Sequence, residues 1–224
     1  MKSGIQKMLA DIEAEVRYTR SMIGRDALDS RVMAAMAEVP RHEFVPDYEQ
    51  LYAYANGPLP IGHGQTISQP FIVALMTDLL ECGPDDRVLE VGTGSGYQAA
   101  ILSRVVAQVY SVEIIPELAR KACQRLARLG YDNVECRHCD GYNGWPEQAP
   151  FHGILVTAAA PSVPPPLIEQ LTQGARLVIP VGPQFGHQEL MVIEKRSDGS
   201  LLTTDILGVA FVPLTRARPD AAQA

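Results

Sequence analysis

The sequence predicts an α/β fold: a doubly wound, mostly parallel sheet with an antiparallel C-terminal edge and extra N-terminal helices. Three observations predict it. From residue 87 to about residue 181, short apolar runs suited to buried strands alternate with helical patterns, which implies parallel strands joined by helices. The first of these runs, Val88-Leu89-Glu90-Val91, enters a turn carrying Gly92, Gly94 and Gly96. Two final apolar runs flank Asp198-Gly199, a hairpin signal that adds an antiparallel edge.

Each element has a local reason. Ile5, Met8, Leu9, Ile12 and Val16 recur at helical spacing between charged residues, so an amphipathic helix opens the chain. A second helix is expected from about Ser30 to Glu38, capped by Asp29 or Ser30 and ended by Pro40. A tyrosine-rich piece, Tyr48 to Tyr54, follows. Residues 56–70, NGPLPIGHGQTISQP, read as a long loop of low charge, and such loops are more often functional than idle. A helix from about Pro70 to Leu80 precedes strand 87–91, helix 96–106, strand 109–113 and helix 116–129, with Gly130 suited to its stop. Strands at 134–138 and 153–157 come next. A proline-rich break at Pro161 to Pro166 leads to a helix ending near Leu171. Strand 176–181 and the hairpin strands 189–195 and 200–212 complete the sheet, and the tail beyond about Arg218 is expected to fray. At 224 residues the chain fits a single domain over 1–224. Residues 1–80 would carry the N-terminal helices and the loop, and 81–218 the core and hairpin.

The glycine turn is where chemistry becomes legible. A strand, a glycine-rich turn and a helix form a corner that a nucleotide can approach, because glycine lacks a Cβ and tolerates unusual backbone angles. A tight strand-to-helix turn without a ligand is the plainer alternative. The dinucleotide fingerprint is G-x-G-x-x-G. Here the third glycine arrives one position early, at Gly96, and Tyr97 follows. That spacing suits a ligand with adenosine and no phosphates, such as S-adenosylmethionine. Glu113 ends the second strand about 20 residues on, where an acid bonds ribose hydroxyls in open α/β sheets; alone it could be a surface acid. Asp140-Gly141 ends the third strand, where Asp140 could accept from an adenine amino group or simply make a turn. Small residues after Val156, from Thr157 to Ala160, could wall the reacting group. Ser68 precedes Gln69-Pro70 at a helix start, and on propensity alone it reads as an N-cap.

Composition narrows the partners. A net charge of −7 without a concentrated basic stripe argues against nucleic acid held by phosphate contacts. No apolar run is long enough to cross a membrane, and no signal-peptide pattern opens the chain, so a cytoplasmic protein is expected. Cys82, Cys123, Cys136 and Cys139 are scattered, and Cys136-x-x-Cys139 lacks the second ligand pair a structural zinc site needs, so no metal is expected. His42 and His138 have no triad partners nearby in sequence and read as structural, and Met8, Met22, Met33 and Met36 read as core.

Longer motifs carry a resemblance. Val39-Pro-Arg-His-Glu-Phe-Val-Pro46, Leu59-Pro-Ile-Gly62, Gly64-Gln-Thr-Ile-Ser-Gln-Pro70 and Val88-Leu-Glu-Val-Gly-Thr-Gly-Ser-Gly-Tyr-Gln98 occur in this order. Ser111-Val-Glu113, Asp140-Gly141, Ile154 to Pro161, Arg176 to Gly182 and Phe211-Val-Pro-Leu214 follow. Together they resemble the protein-L-isoaspartate O-methyltransferases across nearly the whole chain. The glycine turn alone would indicate only a methyltransferase of Rossmann-like fold; the stretch around Ser68 is far more specific. The resemblance implies methyl transfer from S-adenosylmethionine to isoaspartyl carboxylates of damaged proteins and peptides, giving S-adenosyl-L-homocysteine and initiating repair through a succinimide. It implies Ser68 as the active-site residue, with Gly92, Thr93, Gly94, Ser95, Glu113, Asp140 and Gly141 holding the methyl donor. Thr66, Ile67, Gln69 and Val212 would meet the peptide. A monomer without membrane or nucleic-acid partners is the matching expectation. A methyltransferase acting on RNA or a small molecule is the alternative. His152 stands where the family usually has aspartate, at the start of the fourth strand, and should affect packing more than activity. His63 falls where the family varies.

Overall fold

The computed structural model describes residues 2–216. The expected tail beyond Arg218 lies outside them. Helix α1 (Lys2–Ile23) buries Met8, Ile12, Val16, Thr19 and Ile23, one face at helical spacing. Helix α2 (Ser30–Glu38) is capped by Asp29, which accepts from the Arg31 N–H at 2.8 Å. Two 3₁₀ turns, Arg41–Phe44 and Asp47–Tyr52, carry the chain to strands β1 (Leu59–Gly62) and β2 (Gln65–Ile67). Then come α3 (Pro70–Leu79), β3 (Arg87–Val91), α4 (Tyr97–Leu102), β4 (Gln108–Glu113), α5 (Pro116–Arg128) and β5 (Val134–His138). Strand β6 (Phe151–Val156), helix α6 (Pro165–Glu169) and strands β7 (Leu171–Val181), β8 (Gln188–Lys195) and β9 (Leu201–Val209) finish the chain.

The main sheet has the order β5-β4-β3-β6-β7-β8-β9. Strands β3 to β7 run parallel, and β8 and β9 are antiparallel additions. After β3 the chain moves outward to β4 and β5, then returns to place β6 on the other side of β3. The carboxyl ends of β3 and β6 therefore flank the point where strand order reverses, the usual ligand crevice of open α/β sheets.

Side chains alternate across the sheet and feed two cores. Val88, Val109, Leu155 and Val178 join Met8, Met36, Phe44, Leu75, Leu102 and Leu126 on the face covered by α1 to α5. Leu89, Val91, Tyr110, Ile154 and Leu177 join Trp145, Phe151 and Leu167 on the other, covered by α6 and short turns. Met33 packs against the first core, whereas Met22 is exposed, against expectation.

Several boundaries differ from the sequence reading. The loop 56–70 contains the β1–β2 hairpin, turning through Gly62, His63 and Gly64, all with positive φ. Strands of four and three residues are too short to leave a period. Helix α4 stops at Leu102, four residues before the expected end at 106; the Asn133 amide collects the carbonyls of Ser103, Val106 and Ala107 there. Helix α6 ends at Glu169 and β7 starts at Leu171, because Leu171 already pairs with Phe151. Strand β9 ends at Val209 rather than 212, and residues 210–214 leave it for the end of β6.

Candidate active site

The site is built at the carboxyl ends of β3, β4 and β6. Strand β3 delivers Gly92, whose N–H donates to Val112 O at 2.8 Å and whose φ is +102°. A Cβ there would lie 2.4 Å from Thr157 Oγ1, so the missing side chain makes room for β6 as well as for the turn. Thr157 Oγ1 fills that room and donates to Gly92 O at 2.6 Å. A Cβ at Gly96 would meet Leu126 of α5 at 3.2 Å. Two of the three glycines thus serve close packing inside the protein. At Gly94 the nearest group is Ile61 of the hairpin, which reaches over the turn.

Polar groups hold the turn in place. Glu113 accepts from Gly94 N at 2.8 Å on one oxygen and from Ile115 N at 2.9 Å on the other, leaving lone pairs on both. Thr93 Oγ1 meets Ser111 Oγ at 2.6 Å, and Ser111 donates in turn to Glu90. Ser95 O is held by Arg125 Nη1 from α5 at 2.7 Å. Gly141 is a cradle position: a Cβ there would lie 2.5 Å from Val91 Cγ1.

These groups line one cleft. Gly92, Thr93, Gly94, Ser95, Glu113 and Gly141 face it, together with Thr66, Ile67, Ser68 and Val212. The expected residues therefore converge, with two exceptions of position. The Asp140 carboxylate accepts from Tyr142 N at 3.0 Å, as cap of a 3₁₀ turn, and the cleft wall there is Gly141. Gln69 lines a neighbouring cleft of about 490 Å³ with Pro58, His187 and Phe211. Thr66, Ser68, Thr157 and Val212 line both clefts and stand at their junction. Ser68 is not the helix cap that propensity favours: Gln69 occupies the N-cap of α3 and makes no side-chain cap bond, because the helix begins on Pro70.

Sequence reasoning missed Glu90. It is fully buried, one of its oxygens has no partner among the described residues, and burial pushes its carboxyl up to about 8 against the opposing Ser111 hydrogen bond. An acid inside a strand buried on both faces was the available signal. His152, the second residue of β6, lies at the opposite end of the sheet from the cleft, where its Nδ1 accepts from Arg87 N at 3.1 Å. His42 Nδ1 bonds the Tyr54 hydroxyl at 2.7 Å, and His138 Nε2 lies 3.2 Å from Ile114 O, so both have structural partners.

The donor set fits an adenosine-bearing methyl donor better than a phosphate ligand. A carboxylate with open acceptor positions and the apolar walls Val91, Val112, Ile114 and Ile115 face the cleft, and no Lys or Arg is among its described lining residues. Fold and site together define an S-adenosylmethionine-dependent methyltransferase. A family model described as protein-L-isoaspartate(D-aspartate) O-methyltransferase matches residues 20–219. A protein-L-isoaspartate O-methyltransferase 2 from Syntrophobacter fumaroxidans is 62% identical over 209 residues, covering 93% of this chain and 85% of its own. One of the same name from Nitrosococcus oceani is 61% identical, covering 94% and 95%. A solved protein-L-isoaspartate O-methyltransferase superposes with a TM-score of 0.81 at 29% identity, over 93% of this chain and 65% of that one. The chain belongs to the protein-L-isoaspartate(D-aspartate) O-methyltransferase family, and its activity is the methylation of isoaspartyl residues with S-adenosylmethionine as donor.

Proposed function

We propose that Ser68 orients the isoaspartyl carboxylate at the junction of the two clefts, while Gly92 to Ser95, Glu113 and Asp140-Gly141 hold the methyl donor. The observation that carries this reading is that Ser68, Thr66, Thr157 and Val212 line both clefts. When bound, S-adenosylmethionine supplies a sulfonium-activated methyl, which passes to the carboxylate oxygen while the C–S bonding pair stays on sulfur, leaving S-adenosyl-L-homocysteine. A carboxylic acid with a pKa near ~4 is already ionised at neutral pH, so the chain need not supply a base. Its task is alignment and exclusion of water. A hydroxyl suits that task, since it orients a carboxylate without quenching it as a paired arginine would. Thr66, Ile67, Gln69 and Val212 form the surrounding walls toward the peptide.

The protein acts on isoaspartyl-containing proteins and peptides as a cytoplasmic, single-domain monomer. Its net charge of −7 disfavours nucleic acid as acceptor. Among the described residues no helix is long and apolar enough to cross a membrane. The test pairs an isoaspartyl peptide with its aspartyl twin under labelled S-adenosylmethionine. Label should enter the isoaspartyl form alone, and Ser68→Ala should lower kcat/KM by roughly 10-fold or more at nearly unchanged donor affinity. Equal labelling of both peptides, or a Ser68→Ala enzyme that no longer binds donor, would reject the assignment.

A further inference from the structure

Arg41 heads the fully buried side chains by size among the described residues, at 0% exposure. Among the described residues no carboxylate pairs with it. A buried cation without a counter-ion is costly, and its solvation must come from elsewhere. Here it comes from three backbone carbonyls and an aromatic face. Nε donates to Ala53 O at 2.8 Å, and Nη2 donates to Gly57 O at 3.4 Å and Ser68 O at 2.7 Å. The guanidinium carbon lies 4.8 Å from the centroid of the Tyr97 ring. Nη1 has no partner among the described residues.

The partners fall on two sides of the site. Ala53, Gly57 and Ser68 belong to the run that enters, forms and leaves the β1–β2 hairpin. Tyr97 follows the last glycine of the turn and lines the donor cleft. A planar fork with donors fixed in divergent directions can hold three carbonyls at once; a lysine ammonium, a point charge on a flexible stem, cannot hold the same geometry. The side chain that replaces a third-spaced glycine at position 97 thus supplies the face on which this fork rests.

We propose that Arg41 is a positioning residue for methyl transfer: it sets Ser68 against the donor side of the site by tying the Ser68 backbone to the Tyr97 face. It touches neither reactant and acts through Ser68, so the proposal rests on the assignment of Ser68 above.

Arg41→Lys and Arg41→Gln test it. The second removes the cost of a buried charge without a counter-ion, and with it the reach across three carbonyls. Activity is normalised to the folded fraction from circular dichroism. Both variants should lose roughly 10- to 100-fold in kcat/KM for an isoaspartyl peptide, the scale of a small misalignment. Binding of S-adenosyl-L-homocysteine by calorimetry, without peptide, should stay within about twofold of the parent. Combined with Ser68→Ala, Arg41→Lys should add little further loss, because the group it places is gone. A merely structural role would add its full loss in the double variant, or would weaken S-adenosyl-L-homocysteine binding in parallel; either result overturns the proposal. Full activity in both Arg41 variants beside an impaired Ser68→Ala defeats Arg41 alone. An unimpaired Ser68→Ala removes the Ser68 assignment and this proposal with it.

Discussion

At the scale of single residues, the protein supports the cleft at its strand ends with groups that water does not reach. Glu90 is the clearest case. It is fully buried, and burial raises its carboxyl from 4.5 to about 8, with the Glu113 charge adding to the rise. The folded state therefore holds a proton between about pH 4.5 and 8 that the unfolded chain has released. Stability from this group is complete below the lower value and is lost as pH rises through the window. Glu90→Gln keeps the shape and removes the titration. The variant should gain on the parent as pH rises from 5 to 8.5, by on the order of 1 kcal/mol or more in urea unfolding. A difference between the two proteins that stays constant across that range would mean that Glu90 titrates normally.

At the scale of elements, the segment after β9 is the wall that the two clefts share. It is pinned from both sides. Ala159 N donates to Val212 O and Leu214 N donates to Ala159 O, each at 2.8 Å. Gln188, buried at the start of β8, accepts from Phe211 N at 2.6 Å and donates to Phe211 O at 3.2 Å and Pro183 O at 3.3 Å. Gln188→Leu would leave those groups unmatched at a cost of about 1–3 kcal/mol. Because Val212 borders both clefts, the peptide KM and the S-adenosyl-L-homocysteine Kd should both rise. A loss of melting temperature with both constants unchanged would confine Gln188 to folding. The same segment marks how far the sequence can be read. Apolar runs located the buried central strands because each needs its own apolar residues, and the Asp198-Gly199 turn signal located the more exposed β9. The point where 210–214 leaves β9 escaped, because it is set by the Gln188 side chain, not by any period in Phe211-Val-Pro-Leu214. The β1–β2 hairpin escaped for want of length. At the strand ends, Gly92, Gly94 and Glu113 were legible as cleft-facing positions because backbone geometry restricts them to few residue types, whereas the Asp140 carboxylate caps a 3₁₀ turn and leaves the wall to Gly141. Glu90, Arg41 and Gln188 were not, since each acts through partners distant in sequence: Ser111, Ser68 and Phe211.

At the scale of the whole molecule, the division of the chain near residue 80 has no counterpart in its core. Met8, Phe44 and Leu75 from the N-terminal part share one buried cluster with Val88, Leu102 and Leu190. A charged chain crosses the same boundary: Arg25 pairs with Asp78 and Glu81, and Arg176 of β7 pairs with Glu81 and with Glu194 of β8. Apart from the buried Asp78, the groups of these ion pairs are partly exposed and add modestly, whereas the shared apolar cluster would have to be opened to separate the parts. The two should therefore unfold together. The chain offers a clean pair of probes. Its single tryptophan, Trp145, is buried in the core on the face of the sheet opposite α1 to α5. Far-ultraviolet circular dichroism is dominated by the helices, most of which lie on the other face. In urea, tryptophan fluorescence and circular dichroism should give coincident midpoints and one slope, the mark of a single cooperative unit. A dichroism transition that precedes the fluorescence transition would divide the chain into two domains, with the β1–β2 hairpin on the weaker one. Ser68 would then be delivered to the donor cleft by docking of that domain, and activity would fall with urea ahead of the tryptophan signal.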